Sequence, residues 1–166
     1  MKSRLAAATL PYVVLDSHPG TTSVSGPRTQ IGTLAYYYLV ADPNKSLLMF
    51  YGGYKPSAAW KDGWIKAAET NVGQPTGERK TFARGADPQN LSLEYRVYSR
   101  DYGNSLVLYK PRSYTRGTTG TTDDATATTH QLGGKYRTLN ADGAMGAVVT
   151  QITLRNGEGA VLMRVS

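Results

Sequence analysis

The side chains able to do chemistry in this chain are few, and most of the candidates fall in its first seventy residues. There is no cysteine, hence no thiolate zinc site, cysteine nucleophile or disulfide framework, and two histidines leave little for a metal. Asp16-Ser17-His18 closes a short apolar run, Tyr12 to Leu15. A carboxylate there can serve as acid, base or hydroxyl acceptor, and an imidazole can bind a ligand or shuttle a proton. Each also has a plainer reading, Asp16 as the turn residue that ends a strand and His18, before Pro19, as an exposed loop histidine. Tyr51-Gly52-Gly53-Tyr54, with Trp60 shortly after, closes the next apolar run. An exposed ring can stack on a ligand, whereas a ring at helical spacing belongs by default to a core. Asp62 falls in the first turn of a predicted helix, where a carboxylate answers the macrodipole. Asp123-Asp124, inside the Thr/Gly-rich stretch Gly117 to Thr129, lacks the spaced ligands of a calcium loop and reads as solvated.

The elements that would position these residues alternate in type. Tyr12 to Leu15 and Ser46 to Tyr51 are continuous apolar runs, the pattern of strands covered on both faces of a parallel sheet. Between them, Ile31, Leu34, Ala35, Tyr38 and Leu39 recur at helical offsets, with Gly26-Pro27 suited to the helix start and Asp42-Pro43 to its end. Ser57 can cap a second helix carrying Trp60, Trp64, Ala67 and Ala68, stopped at Asn71-Val72-Gly73. The order β, α, β, α implies parallel strands joined by right-handed crossovers. Two such units leave bare sheet edges, so this part should belong to something larger or pair with another chain.

After Gln74-Pro75-Thr76-Gly77 only strand and turn signals remain. In Leu91 to Pro111, Leu91, Leu93, Tyr95 and Val97 alternate with Ser92, Glu94, Arg96 and Tyr98, and Leu106 to Leu108 resume after Asp101-Tyr102-Gly103-Asn104, predicting a β-hairpin. Thr126 to Leu132, Tyr136 to Leu139, Ala147 to Leu154 and Ala160 to Val165 read as further strands, with Asn156-Gly157 the strongest hairpin signal. The fold class is α+β: two βα units of a parallel, barrel-type sheet in residues 1–75, followed by an antiparallel β-sandwich in residues 76–166.

Composition excludes several classes. A hydrophobic content of 40% in 166 residues supports a core. The net charge of +7 is spread over single Lys and Arg residues without a basic block or nucleic-acid motif, so it marks a positive surface, not a nucleic-acid partner. No segment reaches the about 18 apolar residues of a membrane span. Lys2 and Arg4 ahead of Leu5 to Leu15 imitate a secretory leader, but Pro11 interrupts the run and no small-x-small site precedes Asp16. Asn44-Lys45-Ser46 and Asn90-Leu91-Ser92 fit the glycosylation pattern, relevant only in a eukaryotic secretory setting.

Three phrases, SRDYGNSLVLYKPRSY, HQLGGKYRTL and ITLRNGEGAVL, together with the order of parts, resemble the C-terminal end of (β/α)8-barrel glycoside hydrolases and the hydrolases related to them. In those proteins a small β-sandwich follows the last barrel helix directly, one strand carries an Arg followed by an Asn-x-Leu-Val run, and the last hairpin turns on Asn-Gly. The resemblance implies O-glycosyl hydrolysis, a carbohydrate partner, no cofactor and a site at strand C-terminal ends. On it, Asp16 and His18 would be catalytic, and Tyr51, Tyr54 and Trp60 would stack substrate. A secreted or periplasmic location would suit such a substrate.

A complete barrel takes eight βα units in about 250 residues, and this chain has room for two, so the resemblance implies either a missing upstream barrel or self-association. Glycoside hydrolysis needs two carboxyl groups across the scissile bond, and no Glu follows either predicted strand. The alternative is a non-catalytic module that binds glycan or protein, or that only supports its neighbour.

Overall fold

In the computed structural model, residues 27–42, 46, 65–111 and 127–165 are described. Pro27–Val40 forms a helix, α1. Proline suits its first turn because the missing N–H has no partner there. The helical stripe predicted from the sequence is the buried one: Ile31, Leu34, Ala35 and Leu39 are all enclosed. Past the helix end the chain folds back, with Ser46 N–H donating to Asp42 O at 2.9 Å, Asp42 N–H to Ser46 Oγ at 2.9 Å, and the Tyr37 hydroxyl to Ser46 O at 3.0 Å.

Six strands follow: β1 Lys80–Ala86, β2 Glu94–Asp101, β3 Ser105–Tyr109, β4 Thr128–Leu139, β5 Met145–Leu154 and β6 Gly159–Arg164. They form one sheet in the order β1-β2-β3-β6-β4-β5, and every pair is antiparallel. The predicted central hairpin is β2–β3, with Asp101 opposite Leu106 and Tyr98 opposite Tyr109. Tyr95 and Val97 lie on one face and Tyr98 and Tyr102 on the other, as a period of two requires.

Both faces of the sheet are covered over its middle strands. On one, α1, Ile65, Ala67 and Val72 pack against Tyr102, Val107, Leu139 and Val161. On the other, Val97, Leu106, Leu108, Leu132, Tyr136, Leu154 and Leu162 form a second core, flanked by Phe82 and Tyr95. In a flat sheet β2 and β4, three places apart, would be separated by about 14 Å at the usual strand spacing. The rings of Tyr95 on β2 and His130 on β4 are 5.8 Å apart, and Phe82 on β1 is 6.3 Å from His130. The sheet is therefore curled into a half-barrel, with the second core in its hollow. Part of the bend comes from β4, where Gln131 faces Gln151 but Tyr136 faces Val149, so residues 132–135 bulge out around Gly133 at φ 69°.

These findings correct the expected fold class. No parallel strand pair and no βα unit exists among the described residues, and the six strands make one half-barrel sheet in place of a sandwich. Burial of both sheet faces, which would need a second sheet in a sandwich, comes instead from α1 on one side and from the sheet's own curl on the other. Tyr12 to Leu15 and nearly all of Ser46 to Tyr51 lie outside the described residues; Ser46 itself is engaged with the end of α1. Of the second predicted helix, the described part is a short 3-10 turn, Lys66–Glu69, entered from the extended Ile65.

Asn156-Gly157 also behaves differently from its hairpin signal. The tight turn is there, with Gly157 at φ 81° and Glu158 N–H donating to Arg155 O at 3.1 Å. However, β5 and β6 do not pair: β4 lies between them, and β6 pairs with β3 on its other side.

Candidate functional site

Three places gather polar side chains on this frame. The first is where β2 meets the end of α1. The last carbonyls of a helix have no partner within it, and here Arg100 supplies one. Its Nη1 donates to Ala41 O at 2.5 Å and Tyr38 O at 3.2 Å, while Nε donates to Gly77 O at 3.0 Å. The Tyr102 hydroxyl donates to the same Tyr38 O at 2.6 Å, and the Tyr38 and Tyr102 rings meet edge to face. Burial pushes both phenols up to about 12, which keeps the Tyr102 hydroxyl a protonated donor. A cation at a helix C-terminus also complements the macrodipole. The result is a buried clamp of β2 on α1.

The second place is the end of the half-barrel hollow, around Lys110. By the period of two, Lys110 follows Leu106 and Leu108 onto the inner face, and its side chain is fully buried. Its Nζ is 3.5 Å from Leu154 O and 5.1 Å from the centre of the Tyr95 ring. Burial lowers its pKa, opposed by the charges of Asp87 and Glu158. Asp87 is also buried and holds its own turn, accepting from Gln89 N–H at 2.9 Å and Asn90 N–H at 3.3 Å. His130 lies between the Phe82 and Tyr95 rings, with Nε2 2.8 Å from Thr128 Oγ1. Burial, and then the charge of Lys110, lowers its pKa. Asn156 is 92% enclosed, and neither atom of its side-chain amide has a hydrogen-bond partner.

The third is a cleft of about 680 Å³ running beside Ile31 of α1. Thr138, Asn140, Asp142, Thr153 and Glu158 give it polar walls, and Leu139, Ile152 and Val161 give it apolar ones. Both of its carboxylates serve turns: Asp142 accepts from Ala144 N–H at 2.9 Å, and Glu158 from Arg155 N–H at 2.8 Å. Elsewhere Asp101 holds Lys80 at 2.7 Å and Arg164 at 2.9 Å, and Glu94 holds Arg96 at 2.5 Å.

No family model, curated protein or solved structure matches the chain. Its chemistry has to be read from its own residues. Among the described residues no group of three or more metal-ligating side chains occurs, and no helix is long and apolar enough to cross a membrane.

Asp16, His18, Tyr51, Tyr54 and Trp60 all lie outside the described residues, as do Asp62 and Asp123-Asp124. Tyr38, assigned to helix packing, is indeed packed against the first core. Sequence reasoning missed Arg100 as a clamp, Lys110 as a buried cation, and Asp87. A signal existed for Lys110, which shares a face with Leu106 and Leu108. None existed for Asp87, whose burial follows from the loop between β1 and β2.

Proposed function

We propose that this chain is a supporting module of a carbohydrate-active hydrolase, whose sheet holds helix α1 in place and whose part in the reaction is structural. The observation that carries the reading is the clamp of Arg100 and Tyr102 on Tyr38 O and Ala41 O. Arg100 belongs to SRDYGNSLVLYKPRSY, one of the three phrases that carry the glycoside hydrolase resemblance now that the expected order of parts is corrected. In that family a small β unit follows a helix directly, and here the described helix precedes the sheet and is fastened to it. Five of the described carboxylates fit the same reading, since those of Asp87, Asp142 and Glu158 hold turns and those of Glu94 and Asp101 hold cations. A pair of carboxyl groups facing each other across a sugar is what hydrolysis would ask of them instead.

Two measurements test this. Hydrogen exchange on the full chain should show Arg100→Met opening the amides of residues 31–40 at least tenfold more than those of β4 and β5, with a loss of roughly 2–4 kcal/mol in stability. Uniform loss of protection would remove the clamp's special role. Release of reducing sugar from a panel of polysaccharides by the full chain alone would overturn the supporting role. Saturable oligosaccharide binding that protects residues 138–142 and 152–160 would move the reading to a glycan-binding module using the cleft.

A further inference from the structure

The two outer strands of the sheet are built differently. β1 carries Lys80 and Arg84 and shifts register between Thr81 and Ala83; charges and bulges of this kind keep an edge from pairing. β5, MGAVVTQITL, has ten residues with neither charge nor proline; the larger irregularity in its ladder lies in β4, and its own one-residue bulge, at Gly146 and Ala147, is confined to its start. Met145 and Val148 are each 45% exposed, and Ala147, Thr150, Gln151 and Thr153 are exposed beside them. Among the described residues its ladder partner is β4 alone. A long uncharged strand at a sheet edge is a template for another strand.

The charges sit just beyond its ends. Asp142 precedes β5 and Arg155 follows it, both exposed. Antiparallel pairing of two β5 strands about a two-fold axis brings Asp142 of each copy toward Arg155 of the other, at both ends of the contact. Parallel pairing would set like charge against like. The edge is thus complementary to itself in one direction only.

We propose that β5 is a homodimer interface, through which two copies of this chain pair antiparallel and join their six-stranded sheets into one. The occupant is a second copy because the strand and its two flanking charges supply all the complementarity required. This stands independently of the supporting role proposed above.

Sedimentation equilibrium or light scattering on the full chain, from 1 to 100 µM on the order of protein interface affinities, decides it. Wild type should dimerise in that range. Val148→Lys, at an exposed position, should leave a folded monomer. Asp142→Arg or Arg155→Asp alone should raise the dissociation constant roughly tenfold by setting like charges together, and the double swap should restore it to within about threefold of wild type. Arg155→Asp guards against a turn defect in Asp142→Arg, and circular dichroism confirms that each variant folds. A wild-type monomer at the top concentration, a dimer indifferent to Val148→Lys, or a double swap no better than either single one would overturn the proposal.

Discussion

A lysine ammonium removed from water is tolerable only where other groups answer its charge. At Lys110 these are Asp87 and Glu158 by electrostatics, Leu154 O and the Tyr95 face. Removing one member of a buried pair strands the other, whereas removing both leaves no charge unanswered. Lys110→Met and Asp87→Ala should therefore each lose about 3 kcal/mol by urea unfolding, and the double variant should lose clearly less than their sum. Additive losses would show that the two charges do not answer one another. Lys110 was legible only through its alternation with Leu106 and Leu108, because a basic residue type by itself argues for an exposed position. Arg100 was masked in the same way, because alternation in β2 assigns Arg96, Tyr98 and Arg100 to an outer face. That face is outer at Arg96, which is exposed, and is covered by α1 at Arg100.

At the scale of elements, α1 lies very close to the sheet at Gly159. A Cβ there would lie 2.6 Å from Ala35 Cβ and 2.9 Å from Leu108 O. Gly159→Ala should cost roughly 1–3 kcal/mol by overpacking. Adding Ala35→Gly should recover the portion due to the helix, leaving the part due to the β3 carbonyl. Thermal or denaturant melts of the three variants provide the comparison, and strict additivity would mean that the two residues do not meet. Helix α1 was fully legible, since its stripe, its proline start and its end are local properties. The β2–β3 hairpin was legible for the same reason. β1 was not: KTFARGA has no clean alternation, and it becomes a strand by pairing with β2. Nor did local signals reveal that β6 would leave the Asn156-Gly157 turn to pair with β3, because that choice is set by residues about fifty positions away.

For the molecule as a whole, acid should act in two steps. His130 is held below its usual 6.5, chiefly by burial. The unfolded chain thus binds a proton before the folded one does, and stability present above 6.5 is lost as pH falls toward the folded value. Asp101 is held below its usual 3.8, first by the hydrogen bond from Lys80, with Arg164 adding to it against the opposing effect of burial. Its contribution is complete above 3.8 and disappears as pH falls through the lower folded value. Melting temperatures from pH 8 to pH 3 should decline in both windows. Added salt should weaken the lower step, which comes from partly exposed ion pairs, and His130→Gln should flatten the upper one. A melting temperature that rises on going from pH 7 to pH 5 would contradict the assignment of His130. The candidate chemistry was the least legible at this scale. The residues nominated for it fall outside the described part, and the clamp, the buried cation and the cleft all depend on strands that meet from distant positions.

The placement of β6 has a bearing on how the chain is made. As synthesis proceeds from the amino end, β1–β3 can assemble as one meander and β4–β5 as another. Neither piece touches the other through the ladder until Gly159–Arg164 slides between them, pairing with β3 on one side and β4 on the other. A ribosome-bound intermediate with all but that strand released would expose two unsealed flanks at once. Open strand edges are templates for foreign strands, so aggregation during synthesis would concentrate in that interval.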